Sequence, residues 1–165
     1  MKTRFFSLLI VAVVAISNSF AASNTGNPEF IAAYTEANKL MEEKFWDQAA
    51  KEWRNVLAMD PDNINVNFKL GYCLLQTENN KIDALTYLEK ATSKKLNPSY
   101  DPFDPNERGA PVEALYYLGI AQHLNMLFDQ STDTFEIMKE LVNKNHRLSN
   151  QINRAIETNK EAKKQ

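Results

Sequence analysis

Glycine is scarce in this chain: four residues in 165, beside six prolines and a single cysteine. So few glycines disfavour a turn-rich all-β fold, which needs left-handed positions between its strands. Cys73 alone closes no intramolecular disulfide, so the fold rests on packing. Only two histidines occur, His123 and His146, without a cysteine, serine or carboxylate partner at the spacing of a known catalytic site. The G-x-S-x-G, H-E-x-x-H, P-loop and dinucleotide glycine patterns are all missing. Lysine and arginine number 19 against 21 aspartates and glutamates, a net charge of −2. No basic excess points to nucleic acid, whose phosphates demand clustered cations. These absences favour a non-enzymatic protein without a cofactor, and argue against a nucleic-acid partner.

Long hydrophobic runs are missing too. The longest, Phe5 to Ile16 in "MKTRFFSLLIVAVVAISNSFAAS", has 12 residues, short of the ~20 that span a bilayer as a helix. It follows Lys2 and Arg4 and precedes Ser19-Phe20-Ala21, small residues at the two positions a signal peptidase inspects. Residues 1–21 are expected to be a signal peptide, followed by a short flexible segment, 22–27. Loss of Lys2 and Arg4 leaves 17 basic residues against 21 acidic ones, a mature net charge of −4. The first mature residue, Ala22, is not the cysteine a lipid anchor requires. The expected location is the periplasm, with no membrane span after cleavage and any outer-membrane association made through a partner.

What the chain does have is helical periodicity. In "NPEFIAAYTEANKLMEEK", Asn27 is a plausible N-cap and Pro28 sits at the first helical position, where its missing N–H costs nothing. Phe30, Ala33, Tyr34, Ala37, Leu40 and Met41 then recur at three- and four-residue steps. "FWDQAAKEWRNVLAM" follows, stopped by Asp60-Pro61. Next come "INVNFKLGYCLLQ", "KIDALTYLEKATSKK", "PVEALYYLGIAQHLNML", "FDQSTDTFEIMKELVNK" and "RLSNQINRAIETNKEAKK". The segments pair through very short turns, with one left over. Cys73, between Tyr72 and Leu74, reads as a small core residue.

The pairs repeat. Ala49-x3-Trp53 returns as Ala84-x3-Leu88 and again as Ser131-x3-Phe135, and Leu70-Gly71 returns as Leu118-Gly119. A small residue lets two helices cross closely, and a large one four positions on fills the next gap. Ala49 and Ala84 are 35 residues apart. The pattern resembles the tetratricopeptide repeat, a helix–turn–helix unit of about 34 residues. "LYYLG" with "FDQSTDTF", and "FWDQAAKEW" with "DPDN", carry the likeness. Ala37 replaces the glycine of the first repeat, Ser131 the alanine of the third, and Asn143 its proline. The resemblance implies an all-α fold over 28–165: repeats at about 30–63, 64–98 and 112–145, stacked in a right-handed superhelical array. Residues 147–164 are expected to be a capping helix over the last repeat.

Gly71 to Gly119 is 48 residues, about 14 more than one repeat. One of these falls in the second internal turn and 13 in the proline-rich stretch containing "YDPFDPNERGAP". Residues 99–111 are therefore an insertion between repeats, with Pro111 expected in the first turn of the fifth helix. Excising 99–108 is expected to change the angle between the second and third repeats. Asp101, Asp104, Asn106 and Glu107 lack the spacing and the glycine of a calcium loop. Cys73, His123 and His146 lack the close ligand pairs of a zinc site. Neither metal is expected.

In this family the first helix of each pair lines a concave groove. The resemblance places Tyr34, Asn38 and Met41 there, then Asn65, Phe68, Tyr72 and Gln76, then Glu113, Tyr116, Ile120 and His123. Aromatic rings with polar tips suit a protein interface. The lysine-and-asparagine clamp with which some relatives hold a C-terminal carboxylate is not carried over, Asn38 alone being of matching type. A narrower likeness runs over about 32–164, through "ANKLMEEKFWDQAAKEWRNVLAMDPDNINVNFKLGYCLL" and "APVEALYYLGIAQHLNMLFDQSTDTFEIMKEL". These look like the N-terminal repeat module of exported Bacteroidetes envelope proteins associated with type IX secretion and gliding, which continue into a β-propeller and an OmpA-like domain. Neither domain lies within these 165 residues, so no peptidoglycan link is carried over. The likeness implies an adaptor or scaffold binding a protein or peptide of the cell envelope. The alternative is a structural subunit, or a module of a larger protein of that kind, binding by its convex face or terminal helix.

Overall fold

Asn27 opens the first helix as its spacing predicts: its side-chain Oδ1 accepts from the Glu29 N–H at 3.0 Å, with Pro28 next in line. The computed structural model describes residues 26–94, 96–143 and 146–164. The expected signal peptide, and all of segment 22–27 except its last two residues, lie outside them. The helices are α1 (Pro28–Glu42), α2 (Trp46–Met59), α3 (Ile64–Gln76), α4 (Ala84–Thr92), α5 (Ala114–Leu124), α6 (Phe128–Leu141) and α7 (Ser149–Ala162). No strand occurs among the described residues, and no helix there is long and apolar enough to cross a membrane. The fold is all-α.

Consecutive helices pack on one another along the whole chain, and α3 also meets α5. Two of the hairpin turns are the same device. After α1, Lys44 has φ 61°, its N–H bonds the Met41 carbonyl, and the Phe45 N–H reaches back to Leu40. After α5, Met126 has φ 61°, its N–H bonds His123, and the Leu127 N–H reaches back to Gln122. Both are Schellman ends, which satisfy the last carbonyls of a helix and reverse the chain. The α3–α4 turn differs, passing through a 3-10 turn at Lys81–Asp83.

The repeated small residues sit at the helix crossings. A Cβ on Gly71 would lie 2.6 Å from Leu88 Cγ, and one on Gly119 2.6 Å from the Phe135 ring. Each glycine thus receives the large residue of the following helix, as the A-x3-large spacing predicts. Trp53, Tyr34, Phe30, Leu70 and Leu74 anchor a main core built by α1 to α5. A second cluster joins Leu115, Phe135 and Met138 to Leu148, the cap of α7, and to Ile152 and Ile156 on that helix.

Several helix ends depart from the sequence reading, two of them flanking the proline-rich loop. The fourth helix ends at Thr92 rather than at the expected Lys95, because the Ser93 hydroxyl donates to the Lys90 carbonyl. The fifth starts at Ala114, three residues after Pro111. Pro111 and Val112 instead form a tight lead-in turn whose carbonyls accept from Ala114 and Leu115.

Candidate functional site

Helix α3 is apolar on nearly every side yet carries Asn65, Asn67 and Lys69, all buried. Buried polar groups need partners. Asn67 donates to the carbonyls of Asn63 and Pro61, fastening α3 to the turn before it. Asn65 and Lys69, one turn apart, share a face and meet the inserted segment.

That segment is a closed loop. The Asn97 N–H donates to the Ala110 carbonyl at 2.8 Å, pinning its two ends together. Between them the loop holds its own shape: Asp101 Oδ1 accepts from the Phe103 N–H, Asp104 Oδ1 from Asn106, and Glu107 Oε1 from Gly109. Such loops are compact, with close ends and packing of their own side chains.

The loop lies across α1 and α3. Tyr34 donates its hydroxyl to the Pro102 carbonyl at 3.1 Å, and Lys69 Nζ donates to the same carbonyl at 2.6 Å. Tyr100 donates to Asn65 Oδ1 at 2.7 Å, and Asn65 Nδ2 donates to the Tyr34 hydroxyl at 2.8 Å. The Arg108 guanidinium pairs with the carboxylate of Asp60, which is buried at the end of α2. Proline-rich backbone thus satisfies polar groups that the helices leave pointing out of the core.

Lys69 is the unusual member. It is 2% exposed, and its ammonium bonds Asn38 Oδ1 at 2.6 Å as well as Pro102. The faces of Trp53 and Tyr34 lie 5.1 and 5.4 Å away, close enough for cation–π attraction. No carboxylate pairs with it among the described residues. Burial lowers its pKa to about 8, opposed mainly by neighbouring Cys73 and Asp101. Burial likewise pushes the Tyr34 hydroxyl up to about 12 and Tyr100 far above the ordinary tyrosine range.

Beside the loop an open pocket of about 470 Å³ remains. Its walls come from Met41 of α1, Phe68 and Tyr72 of α3, Tyr117 of α5, the loop, and Glu113 with Arg147 at the rim. Tyr72 and Tyr117 meet edge to face, ring centres 4.8 Å apart, and Phe68 packs on Tyr100 and Tyr117. Glu113 holds Arg147 at 3.2 Å and lies 3.6 Å from His146.

The groove residues named from the sequence divide accordingly. Phe68, Tyr72 and Glu113 line this pocket with Met41. Tyr34, Asn38 and Asn65 lie buried beneath the loop rather than on an open face, because the loop covers them. Gln76 is exposed in a separate cleft with Lys44 and Trp46. Tyr116 packs on Tyr117 and on Phe135 of α6. His123 bonds Asn159 of α7 at 2.6 Å and lines a small cleft with Ile120. Sequence reasoning missed Lys69, Tyr100, Tyr117 and Arg147. Lys69 had a signal: a charge inside an otherwise apolar helix must find a partner.

Among the described residues no three of His, Cys, Asp and Glu gather as a metal site would require, and Cys73 is fully buried. The chain matches no protein-family model, and no curated protein matches it.

Proposed function

We propose that this chain is a non-catalytic scaffold of the periplasm. Its three hairpins form tetratricopeptide-type repeats in a right-handed array, and the face of α1, α3 and α5 binds a protein or peptide segment of the cell envelope. The observation that carries this reading is the pocket beside the loop. The first helix of each hairpin, or the turn leading into it, contributes to its wall, and its lining combines aromatic area with the Glu113 and Arg147 charges. Such anchors bury area while keeping hydrogen-bonding tips. The matching Schellman turns after α1 and α5, and the two glycine crossings, support the repeat assignment. Association with the outer membrane or with a type IX secretion assembly belongs to the same reading, through the resemblance alone.

Photo-cross-linking in the native envelope tests it. A photoreactive phenylalanine at Tyr117 is expected to form an adduct with one envelope protein, and Tyr72→Ala is expected to abolish it. An adduct that forms only from position 141 turns to the alternative, a structural subunit that binds by its other face. One observation favours that second reading: Ile137 and Leu141 are 50% and 61% exposed beside a cleft of about 600 Å³ shared with Leu96, Val112 and Leu115.

A further inference from the structure

The loop occupies the part of the α1–α3 face where polar groups are most concentrated. Four side chains from two helices converge there: Tyr34 and Asn38 from α1, Asn65 and Lys69 from α3. Together they read one backbone carbonyl and one tyrosine hydroxyl, presented by a chain that turns at Pro102–Phe103. None of these contacts uses a feature peculiar to residues 99–108 beyond their chemistry. A carbonyl preceding Phe103, an aromatic hydroxyl two residues before it, and a negative field around the Lys69 ammonium are enough. Of the loop's carboxylates Asp101 supplies that field at Lys69, while the loop's one cation, Arg108, is drawn aside by Asp60.

We propose that Tyr34, Asn38, Asn65 and Lys69 form a recognition seat for an acidic, proline-containing peptide segment that turns at its proline, and that the loop is its resident occupant, displaced when a partner segment of the same chemistry binds. The proposal rests on the reading of the α1–α3–α5 face as a protein-binding surface, and names the ligand class for its covered half. Proline suits the seat because its fixed φ favours the turn at Pro102–Phe103, where its carbonyl faces Tyr34 and Lys69. Acidity suits it because the Lys69 charge is balanced only by dipoles, by ring faces and by distant carboxylates. Displacement breaks the packing of Tyr100 on Phe68 and the Arg108–Asp60 pair, while the loop's ends are bonded to each other at Asn97 and Ala110. The open pocket adjoins the seat through Phe68, Lys69, Tyr100 and Pro102, so an incoming segment enters there and advances as the loop leaves.

Two measurements test this. In the first, residues 99–108 are replaced by two glycines, and a synthetic peptide of sequence SYDPFDPNER is titrated in trans. The shortened chain is expected to bind the peptide at least tenfold more tightly than the intact chain, and Lys69→Met in the shortened chain is expected to reverse that gain. Equal binding by both chains, or none by a folded shortened chain, overturns the proposal. So does a shortened chain that loses its helical circular dichroism, because the loop is then part of the core. The second uses the unaltered protein. Acylation of Lys69 and alkylation of Cys73 are each normalised to the denatured chain. Lys69 is expected to react at least a hundredfold faster than Cys73, since loop departure uncovers it without unfolding. Equal protection of the two overturns the proposal as well. Peptide failure alongside a surviving Tyr117 adduct removes the seat and leaves the face; loss of the adduct alone removes the face.

Discussion

The Tyr34 hydroxyl and the Pro102 carbonyl, 68 residues apart in sequence, meet at 3.1 Å. This contact closes a polar ring. Tyr100 of the loop donates to Asn65, Asn65 donates to Tyr34, and Tyr34 donates back to the loop at Pro102. Each donor and acceptor in such a chain polarises the next, so its members do not act independently. Tyr34→Phe and Tyr100→Phe are each expected to lower stability by about 1 kcal/mol. Because both changes break the same ring at Asn65, the double variant is expected to lose less than the two combined, by about 0.5 kcal/mol or more. Urea unfolding of the four chains measures this coupling. Strict additivity would mean the two bonds are separate.

Lys69 makes stability depend on pH in a definite direction. The unfolded chain holds this proton up to the ordinary value of 10.5, while burial makes the folded chain release it near 8. Between those values the unfolded state binds more protons, so stability rises with pH. Below 8 both states are charged, and the cost of the buried charge is fully present. Lys69→Met lacks the effect, and comparison with it cancels the opposing titration of Tyr34. The stability of wild type relative to the variant is expected to grow from pH 8 to 10.5, by about 3 kcal/mol in all. A difference that stays flat with pH would show that the folded lysine keeps its proton.

The left-handed turn residues offer a gain. Lys44 and Met126 both sit at φ 61°, where a side chain costs energy that glycine avoids. Met126 is 78% exposed, so removing its side chain forfeits little packing. Met126→Gly is expected to raise stability by about 0.5–1 kcal/mol, net of the added freedom of the unfolded chain. A change in the melting temperature reads it directly, and a decrease would contradict the account of the turn.

Gly119 offers the opposite case. Alanine improves helix propensity by about 1 kcal/mol, yet its Cβ would stand 2.6 Å from Cε1 and Cζ of Phe135. Phe135 is 1% exposed, so its ring must shift within the packed cluster of α5, α6 and α7. Gly119→Ala is expected to cost about 1–3 kcal/mol by overpacking. Phe135→Leu, harmful alone, is expected to recover part of that loss in the Gly119→Ala background. Thermal unfolding of the three variants decides the point.

The helices and their crossings were legible because periodicity and small–large spacing are local signals. Ala84-x3-Leu88 and Gly71 could be matched without any coordinates. The Schellman turns were not, since Lys44 and Met126 replace the glycine or asparagine that usually marks them. Nor was the covered site, because it depends on where a loop returns. Nothing in "YDPFDPNERGAP" states that Pro102 reaches Lys69, 33 residues earlier. Tyr34 and Asn38 were assigned to an open groove from the repeat alone, and the loop buries both. Ser131 stands where the two earlier hairpins carry Ala49 and Ala84, and its hydroxyl donates to the Gly119 carbonyl at 2.7 Å.

That hydroxyl also ties down the last helix. Asn159, fully buried on α7, donates through Nδ2 to Ser131 Oγ at 2.9 Å and to Thr132 Oγ1 at 3.1 Å. Its amide nitrogen being committed, Oδ1 accepts, and His123 carries its hydrogen on Nδ1. One side chain therefore joins α5, α6 and α7. Asn159→Ala frees three polar groups at once, one of them the half-buried imidazole, against a small gain in helix propensity. The expected cost is about 1–3 kcal/mol, concentrated where α7 meets Phe135 and Met138. Amide hydrogen exchange distinguishes local release from general weakening. Amides of Ser149–Ala162 are expected to exchange faster in the variant while those of α3, in the other core, keep their protection. Uniform acceleration in both helices would show that α7 is part of one cooperative unit with the loop-bearing half of the chain.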